Sequence, residues 1–201
     1  MNKKNQTWFI TGTDTGIGKT WCSVAFIKQL KQQGLRVAGM KPIASGKNSD
    51  AEQILAASGL DLPYDLINPY AFEPAIAPHI AAQQLGQTIE LKVLIEKYKQ
   101  LAALADAVVI EGAGGWRVPI NASQSFKDMV LAINAKVILV VGLRLGCINH
   151  ALLTAEAIQR DGCTLAAWIA NPIDPEFDGK ASIETISSYL GKPLTLDLIS
   201  R

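Results

Sequence analysis

The residues best equipped for chemistry are Gly18-Lys19-Thr20. They close a glycine-rich turn, Thr11-Gly12-Thr13-Asp14-Thr15-Gly16-Ile17, that follows a short apolar run, Trp8-Phe9-Ile10. A helical pattern begins at once, with Val24, Phe26, Ile27 and Leu30 at helix-like spacing. Taken alone, Gly-Lys-Thr is often just a helix start after a turn. Between a strand and a helix it reads as a phosphate-binding loop. Backbone N–H groups of such a loop, with the positive end of the following helix, form an anion site. Lys19 would then reach the outer phosphates, and the Thr20 hydroxyl would sit on Mg²⁺. The usual pattern has four residues between its glycines, whereas five separate Gly12 from Gly18.

Other polar residues recur at predicted strand ends. Glu111 closes the apolar run Ala107-Val108-Val109-Ile110 and leads into Gly112-Ala113-Gly114-Gly115. A carboxylate at the tip of a buried strand is a usual holder of Mg²⁺ on an ATP phosphate, although a surface cap is the plainer alternative. The glycines let backbone approach a ligand closely. Asp50 opens a helix, where the dipole alone favours an acid; its place after the second strand also suits a second metal carboxylate. Lys41 ends that strand as either a solvated surface lysine or a second cation for phosphoryl transfer. His79 and His150 fall on helical segments without metal-ligand spacing and read as structural or substrate-lining. Trp116 suits core or interface equally.

The elements needed to position these residues alternate. Arg36–Met40 reads as a strand after a helix stop at Gly34, and a helix begins near Asp50. Residues 61–78 show no clear periodicity and read as a surface excursion carrying Tyr64, Leu66, Ile67, Tyr70 and Phe72. Leu91, Leu94, Ile95, Tyr98, Leu101 and Ala102 mark an amphipathic helix. Ser125–Ile133 reads as a helix with Ser125 as N-cap and Asp128 three residues on. Val137–Val141 and Leu165–Ala170 read as strands, Ala151–Arg160 and Ser182–Leu190 as helices, and Pro193–Leu198 as a closing strand. The alternation predicts one doubly wound α/β domain over residues 1–201, its mainly parallel sheet flanked by helices. Ligands in such sheets bind at the carboxyl ends of the strands. Four of those ends carry residues 12–20, 41–45, 111–115 and 171–174.

Lys plus Arg number 19 and Asp plus Glu 18, so there is no basic excess for nucleic acid. The three cysteines, Cys22, Cys147 and Cys163, lack zinc spacing and fit free thiols in a reducing cytosol. The apolar run after Lys3 and Lys4 is too short for a signal peptide, and Val137–Val141 is too short to span a bilayer. A cytoplasmic protein with no membrane partner is expected.

Several of these strings resemble the dethiobiotin synthetase family of the P-loop NTPase superfamily. They are Thr11-Gly12-Thr13-Asp14-Thr15 with Gly18-Lys19-Thr20, Lys41-Pro42-Ile43-Ala44-Ser45-Gly46 with Asn48-Ser49-Asp50, and Asn68-Pro69-Tyr70 with Pro78-His79. Glu111-Gly112-Ala113-Gly114-Gly115-Trp116 and Gly146-Cys147-Ile148-Asn149-His150 match as well. The similarity runs from about Thr7 to Asn171. It implies a cyclo-ligase of biotin biosynthesis that converts ATP, CO₂ or bicarbonate and 7,8-diaminononanoate to dethiobiotin, ADP and phosphate. A carbamate on one amine would attack the γ-phosphate, and the second amine would close the ring on the resulting carbamic–phosphoric anhydride.

By the same resemblance Gly16, Ile17, Gly18, Lys19 and Thr20 hold the phosphates, and Lys41 acts as catalytic lysine beside Lys19. Thr20, Asp50 and Glu111 hold Mg²⁺, with Gly112, Ala113 and Gly114 completing the nucleotide side. Thr15, Ser45, Gly114 and Asn149 line the diamine site, and Asn171 faces the base. The extra loop residue lets Thr15 face the second substrate. A homodimer, with the substrate site near the subunit interface, is also implied. The chain departs from the family in three places. Gly16 stands where many relatives have Glu, and the loop between Gly46 and Asn48 is short, which should open one side of the site. No Gly-x-Ile-Pro turn precedes the end at Arg201, so altered base specificity is expected. The alternative is a regulatory or partitioning ATPase of the deviant phosphate-loop type. Its signature lysine would stand where Asp14 does.

Overall fold

The computed structural model describes residues 5–46 and 49–196; Lys47 and Asn48, residues 1–4 and residues 197–201 lie outside them. The first half of the chain runs β1 (Gln6–Gly12), α1 (Lys19–Gln32), β2 (Val37–Met40), β3 (Ile43–Ser45), α2 (Asp50–Ser58), α3 (Tyr64–Ile67) and β4 (Tyr70–Phe72). Helices α4 (Pro78–Gln84) and α5 (Leu91–Leu104) lead to β5 (Ala107–Glu111) and α6 (Phe126–Ile133). The remainder is β6 (Lys136–Leu143), α7 (Cys147–Arg160), β7 (Leu165–Pro172) and α8 (Lys180–Leu190).

Five strands form a parallel sheet in the order β2-β5-β1-β6-β7. Phe9 of β1 stands between Ile110 of β5 and Val137 of β6. Every residue of β5 is buried, and in β6 only Lys136 is exposed. Helices therefore cover both faces, as the unbroken apolar runs require. Helix α1 packs on β5, β2 and α2, whereas α7 packs on β6 and α8. The phosphate loop, leaving the central strand, opens at the carboxyl edge of the sheet. This is the doubly wound α/β architecture expected from the alternation.

Local chemistry sets several boundaries. Ser125 and Asp128 form a capping box, the Asp128 carboxylate accepting the Ser125 N–H at 2.7 Å. Helix α7 starts four residues before the expected Ala151, because Gly146 takes a left-handed φ of 90° and turns the chain into Cys147 directly. The excursion over residues 61–78 is more ordered than its sequence suggests. It makes the single turn α3 and then β4, which pairs in parallel with β3 from Ile43↔Tyr70 to Ser45↔Phe72. Leu66, Ile67 and Phe72 are buried there. The expected closing strand is absent over residues 193–196, where Leu194 N–H donates only to the Trp168 carbonyl, and the rest of that prediction lies outside the described residues. Trp116 belongs to the core, its ring 6.3 Å from Phe9 and its Nε1–H donating to Asp161. All three cysteines are buried and free. Among the described residues no helix is long and apolar enough to cross a membrane.

Candidate active site

The phosphate loop is braced from behind. At the end of β7, Asn171 is buried and its Nδ2 donates to the Ile17 carbonyl at 2.7 Å. Gly18 packs against it: a methyl group there would lie 2.3 Å from that nitrogen, and its φ of 81° is left-handed besides. Only glycine meets both demands. The Thr13 N–H donates to the Val140 carbonyl on β6, and Asp14 pairs with Arg144 from the loop after β6. Lys19, the first residue of α1, folds its Nζ back to donate to the Asp14 carbonyl at 2.8 Å. Burial, and secondly the neighbouring Lys41 charge, push the Lys19 ammonium down to about 8.

The floor is a charge cluster in which Lys41 and Glu111 are almost wholly buried. Lys41 Nζ donates to Glu111 Oε1 at 2.5 Å, to Asp50 Oδ2 at 3.1 Å and to the Gly112 carbonyl at 3.3 Å. The Thr20 hydroxyl donates to the same Glu111 Oε1 at 2.9 Å. The other oxygen, Glu111 Oε2, is buried and takes no hydrogen bond from protein. Lys41 is held by its backbone: its N–H donates to the Ile67 carbonyl, and Asn68 Nδ2 donates to its carbonyl at 2.6 Å.

These groups open into a cleft of about 720 Å³. Thr15, Gly16, Gly18, Lys19 and Thr20 line one side, Lys41, Asp50 and Glu111 the floor, with Ser45, Ala113 and Gly114 beside them. The rest of the lining is mainly apolar: Ala75, Ile76 and Ala77 form one wall, and Val118 packs beside Gly114. Most of the residues predicted to form a site thus meet in one place. Ile17 is buried under the loop, and Gly112 contributes its carbonyl from behind. Asn171 lies behind the loop, with its amide oxygen buried and unpartnered. Asn149 is exposed on the first turn of α7, and neither it nor His79 nor His150 lines the cleft. Sequence reasoning missed Arg144, Ile76 and the bracing role of Asn68. Asn68 lies within a motif quoted above, whereas nothing local marks Arg144 or Ile76.

The arrangement can take a polyanion against two ammonium groups and an apolar chain against the facing wall. The oxygens of Thr20, Asp50 and Glu111 are hard donors that suit Mg²⁺, and the unpartnered Glu111 Oε2 leaves ligating capacity among them. Among the described residues no group of three or more His, Cys, Asp and Glu side chains could cage a metal unaided.

A family model described as an AAA domain matches residues 6–197. ATP-dependent dethiobiotin synthetase BioD of Xylella fastidiosa is 49% identical over 176 residues, covering 84% of this chain and 78% of that protein. The protein of the same name from Yersinia pestis is 45% identical over 196 residues, covering 93% and 82%. Among solved structures, a ParA family ATPase from Chlorobium tepidum superposes with a TM-score of 0.55 at 14% identity, covering 96% of this chain and 83% of that one. The MinC:MinD cell division complex of Aquifex aeolicus gives a TM-score of 0.55 at 15% identity, covering 94% and 79%. At such identities these structures share the fold alone.

Proposed function

The chain belongs to the ATP-dependent dethiobiotin synthetases, ligases of biotin biosynthesis, and from that premise we propose that it closes the ureido ring of dethiobiotin on 7,8-diaminononanoate, using CO₂ and ATP. The observation that carries this reading is the shared cleft: two buried lysines, Lys19 and Lys41, beside Thr20, Asp50 and Glu111, facing an apolar wall. Both reactants are anionic once one amine has captured CO₂ as a carbamate. Lys19 and Lys41 lower the repulsion as the carbamate oxygen approaches the γ-phosphate. The second amine then attacks the carbamic–phosphoric anhydride and expels phosphate, and Lys41 remains beside the charge that develops. Thr20, Asp50 and Glu111 would hold Mg²⁺, which when bound neutralises phosphate charge.

Gly16, Ile17, Gly18 and Thr20 present the phosphate loop, and Gly112, Ala113 and Gly114 bring backbone close to the nucleotide. Thr15, Ser45 and Gly114 orient the diamine, and the apolar wall takes its alkyl chain. Asn149 lies outside its own chain's cleft, exposed and four residues after the exposed Leu145. We assign it to the diamine site across a homodimer interface. The unpartnered Asn171 Oδ1 supports placing that residue against the base. The assignment to the cytoplasm follows from this biosynthetic role.

ADP release measured with and without diaminononanoate and bicarbonate tests the reading. Release that requires both is expected. Release indifferent to the diamine would overturn it in favour of a regulatory ATPase.

A further inference from the structure

Lys41 stands where a bound cation would otherwise be needed. Its ammonium touches both carboxylates of the floor, at 2.5 Å from Glu111 Oε1 and 3.1 Å from Asp50 Oδ2. Lys41 and Glu111 side chains are only 4% and 1% exposed, so water screens their charges little. Two acids brought together beneath a phosphate loop repel one another unless a positive charge lies between them. Lys19 Nζ donates to the Asp14 carbonyl and acts on the two acids only through their charge, without a bond to either. Glu111 Oε1 already accepts from both Thr20 and Lys41. A metal ion using Thr20, Asp50 and Glu111 would therefore meet an ammonium bonded to two of its three ligands.

We infer that Lys41 is a placeholder cation, which neutralises Asp50 and Glu111 in the nucleotide-free protein and yields them to the divalent ion that arrives with the nucleotide. Resting on the metal reading given above, the inference adds an order of events. A metal that takes Glu111 Oε1 and Asp50 Oδ2 displaces Lys41 from both, and the displaced ammonium faces the cleft, where the reacting phosphate lies. The backbone bonds of Lys41 to Ile67 and Asn68 keep its base fixed while the side chain swings. One residue thus guards the empty site and serves the occupied one.

The consequence runs against the usual effect of mutating a site residue: removing Lys41 should improve metal binding. Mn²⁺ serves as the probe, titrated into nucleotide-free protein and followed by loss of the free-ion electron paramagnetic resonance signal. Lys41→Met should bind Mn²⁺ about tenfold or more tightly than the unaltered chain, because the two acids lose the ammonium that bonds them both. Lys19→Met is the control for mere loss of positive charge, since Lys19 bonds to neither acid; it should change the affinity by about threefold or less. Lys41→Arg keeps a cation and should bind Mn²⁺ no better than the unaltered chain. Equal or weaker binding by Lys41→Met, or a matching gain in Lys19→Met, would overturn the inference.

Lys41→Met removes the ammonium shared by the buried Glu111 and the half-buried Asp50 and lowers stability without metal, so thermal melting supplies a second reading. Mn²⁺ alone should raise its midpoint, and that of Lys41→Gln, while leaving the unaltered chain unmoved. No metal-dependent rise in either variant would equally sink the idea. Neither measurement uses the diamine. A failed diamine assay alongside a Lys41-specific gain in Mn²⁺ affinity would reject the synthetase chemistry and leave the placeholder standing.

Discussion

The two sides of the cleft are built by opposite means. On the phosphate-loop side Lys19, Lys41 and Glu111 are buried, and each is bonded to groups from other elements. These groups stand at the carboxyl ends of β1, β2 and β5, adjacent strands of the main sheet. On the facing side Ala75, Ile76 and Ala77 carry no charge, and Ile76 is 38% exposed. That wall follows β4 of the two-stranded sheet, tied to the loop after β3 by Gly46 N–H donating to the Phe72 carbonyl at 2.9 Å. Charge handling needs fixed dipoles, because reorienting them during reaction costs energy. An alkyl chain needs only apolar area, which a peripheral wall can offer. The cleft places rigidity where electrostatics demand it and leaves the apolar side shallow.

If this contrast holds, substitutions on the two sides should differ in kind as well as in size. The largest effect is expected from Lys19→Ala, which should lower kcat for diamine-dependent ADP release by on the order of a hundred- to a thousandfold. Retention of full activity would show that the phosphate side is not electrostatically preorganised. Next comes pH. The folded Lys19 ammonium lies at about 8, below its ordinary 10.5, so the folded chain binds fewer protons than the unfolded chain between those values. The cost of burying this charge is therefore complete below about pH 8 and is relieved as pH rises toward about 10.5, a gain of about 3 kcal/mol. Urea midpoints of the unaltered chain and Lys19→Met, compared at about pH 7 and about pH 10, should converge or cross in that direction. Nucleotide affinity should move the opposite way, weakening as pH passes about 8, because the phosphates need the protonated amine.

Asn171→Ala removes the brace on Ile17 and should cost about 1–2 kcal/mol of stability while raising KM for ATP. The smallest effect belongs to the apolar wall. Ile76→Ala should raise KM for the diamine by about five- to tenfold with kcat nearly unchanged, since it removes contact made equally in ground and transition states. A large fall in kcat there would erase the distinction between the two sides.

The same contrast governs what could be read from the chain in advance. The phosphate side was legible because its chemistry is written locally: Gly18-Lys19-Thr20 contiguous after a strand, Glu111 at the end of an apolar run, Ser125 and Asp128 three apart. The five parallel strands were legible for the same reason, each carrying a short apolar run. The apolar wall was not. Strands β3 and β4 have three residues each, and their pairing joins Ile43 to Tyr70 across a stretch with no periodic pattern. Arg144 was equally hidden, because its partner Asp14 is 130 residues away. Asn149 lies within a readable motif, yet the motif does not say that its side chain would lie outside the cleft of its own chain.

The central position of β1 has a consequence for synthesis on the ribosome. The strand that carries the phosphate loop pairs only with β5 and β6, from Gln6↔Ala107 on one side to Gly12↔Val140 on the other. Residues 6–12 are translated before both partner strands and wait for residues made a hundred or more positions later, a delay of on the order of ten seconds. During that time Phe9 and Ile10, wholly buried in the finished protein, have no neighbouring strand to cover them. The growing chain is thus most open to chaperones, and to mistaken pairing with other chains, through the segment that later holds the nucleotide.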